Sequence, residues 1–161
     1  MQKVKNAFTL VELIIVILLI SVLFAAQVFF STGSNKLVGA ANKLMFDLRY
    51  AQQLAISRQV SCGVSFNVAG NSYFVYIGSV STKAKDPSTG TEFLVSYNNA
   101  DYKGVNLVST SFGDRLSFDY LGRPYDSGNA LLSNQGSLTL QQAAYTKTVT
   151  IQSNTGEVKL P

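Results

Sequence analysis

An almost unbroken run of apolar positions covers residues 8–30, and Glu12 is the one charged residue in it. A helix made from these 23 residues is about 35 Å long, enough to cross a hydrocarbon core of about 30 Å. A carboxylate at mid-bilayer costs at least about 2.5–3.5 kcal/mol, so Glu12 needs either a partner or a shallow position near headgroup water. The pattern therefore predicts a membrane-spanning helix that carries a single charge.

Beyond this run, apolar positions recur at spacings of three and four residues, which is typical of an amphipathic helix. The polar residues lie largely off the apolar stripe; they are Lys43, Asp47, Arg49, Gln53 and Arg58. The stripe itself consists of Leu37, Ala41, Leu44, Leu48, Ala51 and Ala55. We predict a helix over about 35–57, within a second helical half at 31–58. Residues 31–34 are compatible with either a kink or continuous helix.

From Val60 onwards the apolar period changes to two, which indicates half-buried strands. Residues 60–68 and 72–80 are predicted to form a hairpin around the turn at 69–71, with Cys62 pointing into the core. Further strands are predicted at 92–97, 105–110, 115–121, 137–141, 146–152 and 157–160. The composition of residues 82–91 predicts a loop. The chain is thus expected to be an α+β protein with one β-rich domain at 59–161.

Composition excludes several kinds of chemistry. The 161 residues contain one cysteine, Cys62, and no histidine, so an intramolecular disulfide, the usual zinc sites and Ser-His catalysis are absent. Asp114, Asp119 and Asp126 are close in sequence but lack the spacing of calcium ligands. We therefore predict no enzyme activity, no metal and no cofactor. The formal net charge of +4, which falls to +2 without residues 1–7, is too small to indicate nucleic-acid binding by itself.

The residues before the apolar run differ from an ordinary secretory signal. Lys3 and Lys5 favour a cytoplasmic amino terminus, and a small residue, Ala7, directly precedes Phe8. A secretory signal has a shorter apolar core, with its small-residue cleavage site after that core. Cleavage between Ala7 and Phe8 would leave the apolar helix on the mature protein. It would also create an α-amino group one helical turn from Glu12.

These residues resemble the type IV pilin and pseudopilin precursors, whose hallmark is a small residue followed by FTLVEL, here residues 8–13. The family usually has Gly where this chain has Ala7. The resemblance implies cleavage after a leader at 1–7 by a prepilin peptidase and N-methylation of Phe8. It also implies that Glu12 pairs with the amino terminus of a neighbouring subunit. The implied location is the bacterial inner membrane, as a single-pass protein with a periplasmic carboxyl-terminal domain.

The β-rich half resembles the GspH/FimT family, which groups the type II secretion pseudopilin H with minor type IV pilins. The similarity lies in residues 118–124, FDYLGRP, and in the closing hairpin TVTIQSNTGEVKL at 148–160. It implies a long amino-terminal helix packed on two antiparallel β-sheets.

Some members of this family bind DNA through a loop of the form Gly-Arg-x-Arg. This chain has Gly122, Arg123, Pro124 and Tyr125, so the first arginine is present and a tyrosine replaces the second. Tyr125 could stack on a base. Arg123 could instead be structural and tie its turn to backbone carbonyls, Asp119 or Asp126.

The expected function is that of a minor pseudopilin in a type II secretion system, assembled with other pilins by an inner-membrane platform. One alternative is a minor pilin of a type IV or DNA-uptake pilus. A second is a nucleic-acid receptor that uses Arg123 and Tyr125. A third is an anchored periplasmic protein without a filament role, which uncleaved Ala7-Phe8 would favour.

Overall fold

The structure, a computed structural model, describes residues 9–161, without the side chains of residues 25–34. Helix α1 is Leu10–Arg58, so the backbone is helical through residues 31–34. The chain divides into two compact units, Met1–Gly33 and Ser34–Pro161. Among the described residues, no helical segment has the length and hydropathy needed to cross a membrane. The span predicted at 8–30 lies partly outside those residues.

Ten strands follow α1 in the described part of the chain. The strands are β1 (Cys62–Asn67), β2 (Ser72–Ile77), β3 (Ser79–Lys83), β4 (Leu94–Ser96), β5 (Val105–Thr110), β6 (Arg115–Phe118), β7 (Pro124–Tyr125), β8 (Gly136–Gln142), β9 (Tyr145–Ile151) and β10 (Val158–Lys159). Six of them form the first sheet, in which β3, β2, β1, β6 and β7 are neighbours in that order and β4 pairs with β2. The remaining four form the second sheet in the order β10, β9, β8, β5, and all pairings are antiparallel.

The core of the Ser34–Pro161 unit lies between α1 and the two sheets. The predicted helix stripe is buried along its whole length, from Leu37 to Ala55. It belongs to one cluster with inward-facing strand residues, among them Val64, Leu116 and Leu140. Cys62 is fully buried, as predicted, and burial raises the pKa of its thiol. The α+β fold is therefore confirmed.

Asp47 was predicted to lie on the polar face of the helix, but it is buried, with only 4% of its surface exposed. Its carboxylate accepts hydrogen bonds from Lys43 Nζ at 2.6 Å and from the hydroxyl of Tyr73 at 2.7 Å. Burial raises the pKa of Asp47, and these two hydrogen bonds offset part of that rise. Tyr73 is on β2, so the buried carboxylate joins the helix to the first sheet.

The prediction of a loop at 82–91 is wrong for its first residues. Strand β3 runs to Lys83, and Lys85 forms a β-bridge with Glu92. Between them Ala84 is fully buried; its N–H donates to Val75 O and its carbonyl accepts from Phe93 N–H, both at 2.8 Å. The polar composition of this segment reflects an exposed sheet edge. The short edge strand β7 was not predicted, and Pro124 is tolerated there because an edge position does not need its missing N–H.

Asn71 connects the two sheets. It precedes β2 in the first sheet and has a positive φ of 51°. Its amide Nδ2 donates to Val105 O at 2.8 Å, and its Oδ1 accepts from Leu107 N–H at 2.8 Å. The side chain thereby occupies two main-chain positions of β5 as a neighbouring strand would.

Candidate functional site

Glu12 lies in the first turn of α1 with its side chain exposed. The Oγ1 of Thr9 accepts a hydrogen bond from Glu12 N–H at 3.3 Å, as in a helix cap. The positive end of the helix dipole favours a carboxylate here by about 0.3–1 kcal/mol. None of the ion pairs among the described residues involves Glu12. Ala7 and Phe8, the predicted cleavage and methylation residues, lie outside the described residues.

The helix surface that follows Glu12 is apolar all round. The exposure of its large apolar side chains ranges from 41% at Val16 to 74% at Leu10. The hydroxyl of Ser21 donates to Ile17 O at 2.7 Å, so this polar group is satisfied within the helix. Such a surface gains about 25 cal/mol for every Å² removed from water. It is suited to lipid or to packing against other apolar helices.

Arg123 lies in the turn between β6 and β7, and its partner is Asp119. Its Nε donates to Asp119 Oδ2 at 2.7 Å, and Nη2 lies 2.7 Å from the same oxygen. Asp119 Oδ1 accepts the N–H groups of Leu121 and Arg123, both at 2.9 Å. Asp126 instead accepts the N–H groups of Gly128 and Ala130. Arg123 therefore has the structural contacts predicted from the sequence as an alternative to DNA binding, and its partner is Asp119.

The electrostatics of this turn limit what Arg123 offers to a ligand. Partial burial raises the pKa of Asp119, but hydrogen bonds from Arg123 and Leu121 outweigh it, so the net pKa is lowered. Asp119 is therefore ionised at neutral pH and compensates the arginine charge. Tyr125 is half-buried, with its hydroxyl 3.4 Å from Asp119 Oδ2. The pair predicted as a DNA contact is consequently bound to an internal carboxylate.

The two carboxyl-terminal segments that carried the family resemblance lie side by side. Gln52 of α1 donates through Nε2 to Gly122 O at 2.8 Å and to Thr155 O at 3.0 Å. Gly122 and Gly156 have positive φ values of 80° and 68°. A Cβ at Gly156 would collide with the carbonyl oxygen of Gly122. Gln52 was not recognised in the sequence, where it is one polar helix residue among several.

A second set of hydrogen bonds links the carboxyl-terminal strand to the helix. The Nε and Nη2 of Arg49 donate to Val158 O at 3.1 and 2.7 Å. Val158 is in β10, the edge strand of the second sheet. The helix is therefore hydrogen-bonded both to the turn of Gly122 and to the last strand.

Comparisons with known proteins agree with this architecture. The model of the family Type II transport protein GspH matches residues 40–156, and the Prokaryotic N-terminal methylation motif matches residues 2–26. A search among curated proteins gives no match.

Two solved structures have a similar fold. The type IV minor pilin FimU of Pseudomonas aeruginosa PAO1, in a P21 crystal, has a TM-score of 0.57 and 16% identity, covering 81% of this chain and 91% of FimU. The minor pseudopilin EpsH from the Type 2 Secretion System of Vibrio cholerae has a TM-score of 0.58 and 14% identity, covering 78% of this chain and 96% of EpsH. At these identities the similarity concerns the fold alone.

A helix packed on two antiparallel sheets, with a methylation motif that includes the start of that helix, defines a protein of the pilin class. Within that class the GspH model covers well over half of the sequence. The chain belongs to the GspH family of type II transport proteins. The family consists of structural pilin and pseudopilin subunits of secretion systems and type IV pili, which assemble with other pilins. The methylation motif implies processing by a prepilin peptidase.

Proposed function

We propose that this protein is a minor pseudopilin of a type II secretion system. It is anchored in the inner membrane by residues 8–30, with the unit Ser34–Pro161 in the periplasm, and it enters a pseudopilus that supports protein secretion. The observation that carries the proposal is the match of residues 40–156 to the family Type II transport protein GspH, and Glu12 in the first turn of an exposed apolar helix, within the matched methylation motif, supports the assembly step.

In the proposed assembly step, cleavage between Ala7 and Phe8 releases the α-amino group of Phe8, which is then methylated. Glu12 of this chain pairs with the amino terminus of a neighbouring subunit. Two unit charges 4 Å apart attract by about 4 kcal/mol at an effective dielectric constant of about 20. This attraction offsets the cost of about 2.5–3.5 kcal/mol for placing a carboxylate at mid-bilayer. An inner-membrane platform protein and its ATPase would drive extension of the filament.

Glu12→Ala tests the assembly step directly. The variant should insert into the membrane as well as the wild type or better, because it removes a charge from an apolar helix. Its incorporation should fall by more than tenfold, because a missing attraction of several kcal/mol exceeds the 1.4 kcal/mol that corresponds to a factor of ten. Membrane fractionation and cross-linking to other filament subunits measure the two quantities separately.

Glu157→Ala is a matched control, because it removes an exposed carboxylate that pairs with Lys159 at 2.9 Å. This control should insert and assemble normally. Normal incorporation of Glu12→Ala would refute charge pairing, while loss of membrane insertion in that variant would refute the assigned role of the helix.

The alternative role, a minor pilin of a type IV or DNA-uptake pilus, uses the same amino-terminal helix. It is supported by the shared fold with FimU. A nucleic-acid receptor is less favoured, because Asp119 compensates Arg123 and phosphate binding usually requires several cations.

A gene deletion in the organism of origin distinguishes a role in type II secretion from a role in a DNA-uptake pilus. Uptake of labelled DNA into a nuclease-protected state is compared in the deletion strain, its parent and a complemented strain. Retention of exoproteins in the periplasm is measured in the same strains. Retained exoproteins with normal uptake would support the secretion role. Lost uptake, restored by complementation, with normal secretion would assign the chain to a DNA-uptake pilus.

A further inference from the structure

A polar cavity of about 350 Å³ lies on the face of the first sheet that points away from α1. The register places Gly63 of β1 opposite Tyr76 of β2 and Ser117 of β6. Since the flanking residues Cys62 and Val64 are buried against α1, the row through Gly63 lies on the opposite face of the sheet, where Tyr76 and Ser117 are only 3% and 6% exposed. The residues that give the cavity its polarity are Ser61, Tyr76, Ser79, Arg115, Ser117 and Asn129.

Arg115 provides the charge of this cavity, and no carboxylate belongs to the described residues that line it. The Nη2 of Arg115 donates to Ser127 O at 2.7 Å and contacts Asn129 Oδ1 at 3.2 Å, which fixes the guanidinium plane. The Nε of Arg115 is buried and has no hydrogen-bond partner among the described residues. Arg115 thus differs from Arg123, whose charge is compensated by Asp119. A fixed cation without a carboxylate partner among the described residues indicates a site for an anionic group.

The absence of a side chain at position 63 leaves room for Tyr76, which lines the cavity, to lie over β1. A Cβ at Gly63 would lie 2.7 Å from the hydroxyl of Tyr76 and 2.8 Å from Ser117 Cα, so the tyrosine hydroxyl occupies the space above the glycine. Burial raises the pKa of Tyr76, and the hydrogen bond with Ser117 and the charge of Arg115 offset only part of the rise. The hydroxyl therefore stays protonated at neutral pH. It can donate to an anion beside the guanidinium.

We propose that this cavity binds a carboxylate, through Arg115 and the hydroxyls of Tyr76 and Ser117. One guanidinium with neutral hydroxyls matches a single negative charge in a planar group. Phosphate chains such as DNA normally require several cations, and the cavity has one. The carboxylate has two possible sources, a small free acid or the carboxyl terminus of a polypeptide.

Acetate is the first probe, added to the full chain in neutral dodecyl maltoside micelles. The readout is the ¹⁵N–¹H signal of Arg115 Nε, compared with sodium chloride at the same ionic strength. The signal should shift to saturation with a half-point on the order of millimolar. A shift that matches the chloride titration or fails to saturate would overturn the proposal.

Variants test whether the acetate-induced shift comes from binding in the cavity, and they exclude loss of folding as its cause. Tyr76→Phe keeps the ring and removes one hydroxyl, so its half-point should rise about tenfold or more. In Arg115→Gln, saturable shifts of the Ser79 and Ser117 amides should be lost, while the thermal transition persists. Arg49→Gln, which also loses a guanidinium bound to a backbone carbonyl, is the matched control and should bind acetate like the wild type. Equal acetate binding by Arg115→Gln and the wild type would refute the site.

The source of the carboxylate is decided with the dipeptide Ala-Ala and its carboxyl-terminal amide. Half-saturation by Ala-Ala at a concentration at least tenfold below that of acetate would support the site with a polypeptide terminus as its ligand. An equal or higher half-point would support the site with a small free acid as its ligand. Equal binding of the amide and the acid would contradict recognition of a carboxylate.

Discussion

Helix α1 presents two different surfaces along its length. Between Leu10 and Phe24 the large apolar side chains are exposed in every direction, and Glu12 has no ion-pair partner among the described residues. Between Leu37 and Ala55 a single apolar stripe is buried, and the polar residues Asp47, Arg49 and Gln52 bind groups of the β-domain. The first surface is exposed along its described length, whereas the second is buried against the β-domain. The same backbone conformation thus leaves apolar side chains accessible in one region and builds a folded core in the other.

The largest expected difference between the two surfaces comes from truncating one leucine in each. Leu48→Ala should lower the free energy of unfolding of the β-domain by about 2–5 kcal/mol, because it leaves a cavity in a fully buried position. Leu18→Ala, at a position 60% exposed, should change it by less than about 0.5 kcal/mol. Urea unfolding of the full chain in micelles, followed by tyrosine circular dichroism, measures both. Similar losses in the free energy of unfolding for the two variants would contradict the proposed difference between the two surfaces.

A smaller effect is expected from Asn71, which joins the two sheets inside the satisfied region. Asn71→Ala should destabilise the domain by about 1–3 kcal/mol, because it removes two hydrogen bonds, with Val105 O and Leu107 N–H, that contribute about 0.5–1.5 kcal/mol each. Asn71→Gly tolerates the positive φ and removes the same hydrogen bonds, so it separates them from backbone strain. Thermal unfolding provides the measurement. Wild-type stability in Asn71→Gly would show that the side-chain hydrogen bonds of Asn71 contribute little to the stability of the domain.

The smallest effect is expected at Asp119. Its charge is paired with Arg123, whereas Glu12 has no ion-pair partner among the described residues. The folded-state pKa of Asp119 lies below the ordinary value of 3.8, so its contribution is present above pH 3.8 and is lost as the pH falls through the folded-state pKa. Asp119→Asn should therefore lower the melting temperature by a few degrees at pH 7 and by less at pH 3. Glu12→Gln, the equivalent change in the other region, should leave the domain transition unchanged at both pH values. A pH-independent deficit in Asp119→Asn would indicate that lost hydrogen bonds, not charge, cause the change.

The periodic elements could be predicted because their signals are local. The spacing of the helix stripe identified Leu37 to Ala55 as core, and β5 has the predicted bounds of Val105–Thr110. The turn before β10 was predicted from Asn154 and Gly156, both of which have positive φ. These features depend on side-chain periodicity and on conformations that few residues adopt, and both can be read along the chain.

Other features were missed because their causes are far apart in sequence. The extension of β3 to Lys83 depends on pairing with β2, which stabilises a segment whose polar composition favours a loop. The burial of Asp47 depends on Tyr73, 26 residues away. Gln52 acquires its role only when Gly122 and Thr155 come together, 70 and 103 residues later.

The amino-acid sequence by itself determined the apolar helix with Glu12, the α+β class and the family resemblance, because each is encoded in short-range patterns. The tertiary structure decided which charges are available. It placed Asp119 beside Arg123 and left Arg115, in a polar cavity, without a carboxylate partner among the described residues. The physical reason is that the interaction energy of a charge depends on distance and burial. Both are set by strand pairing between residues that are remote in the chain.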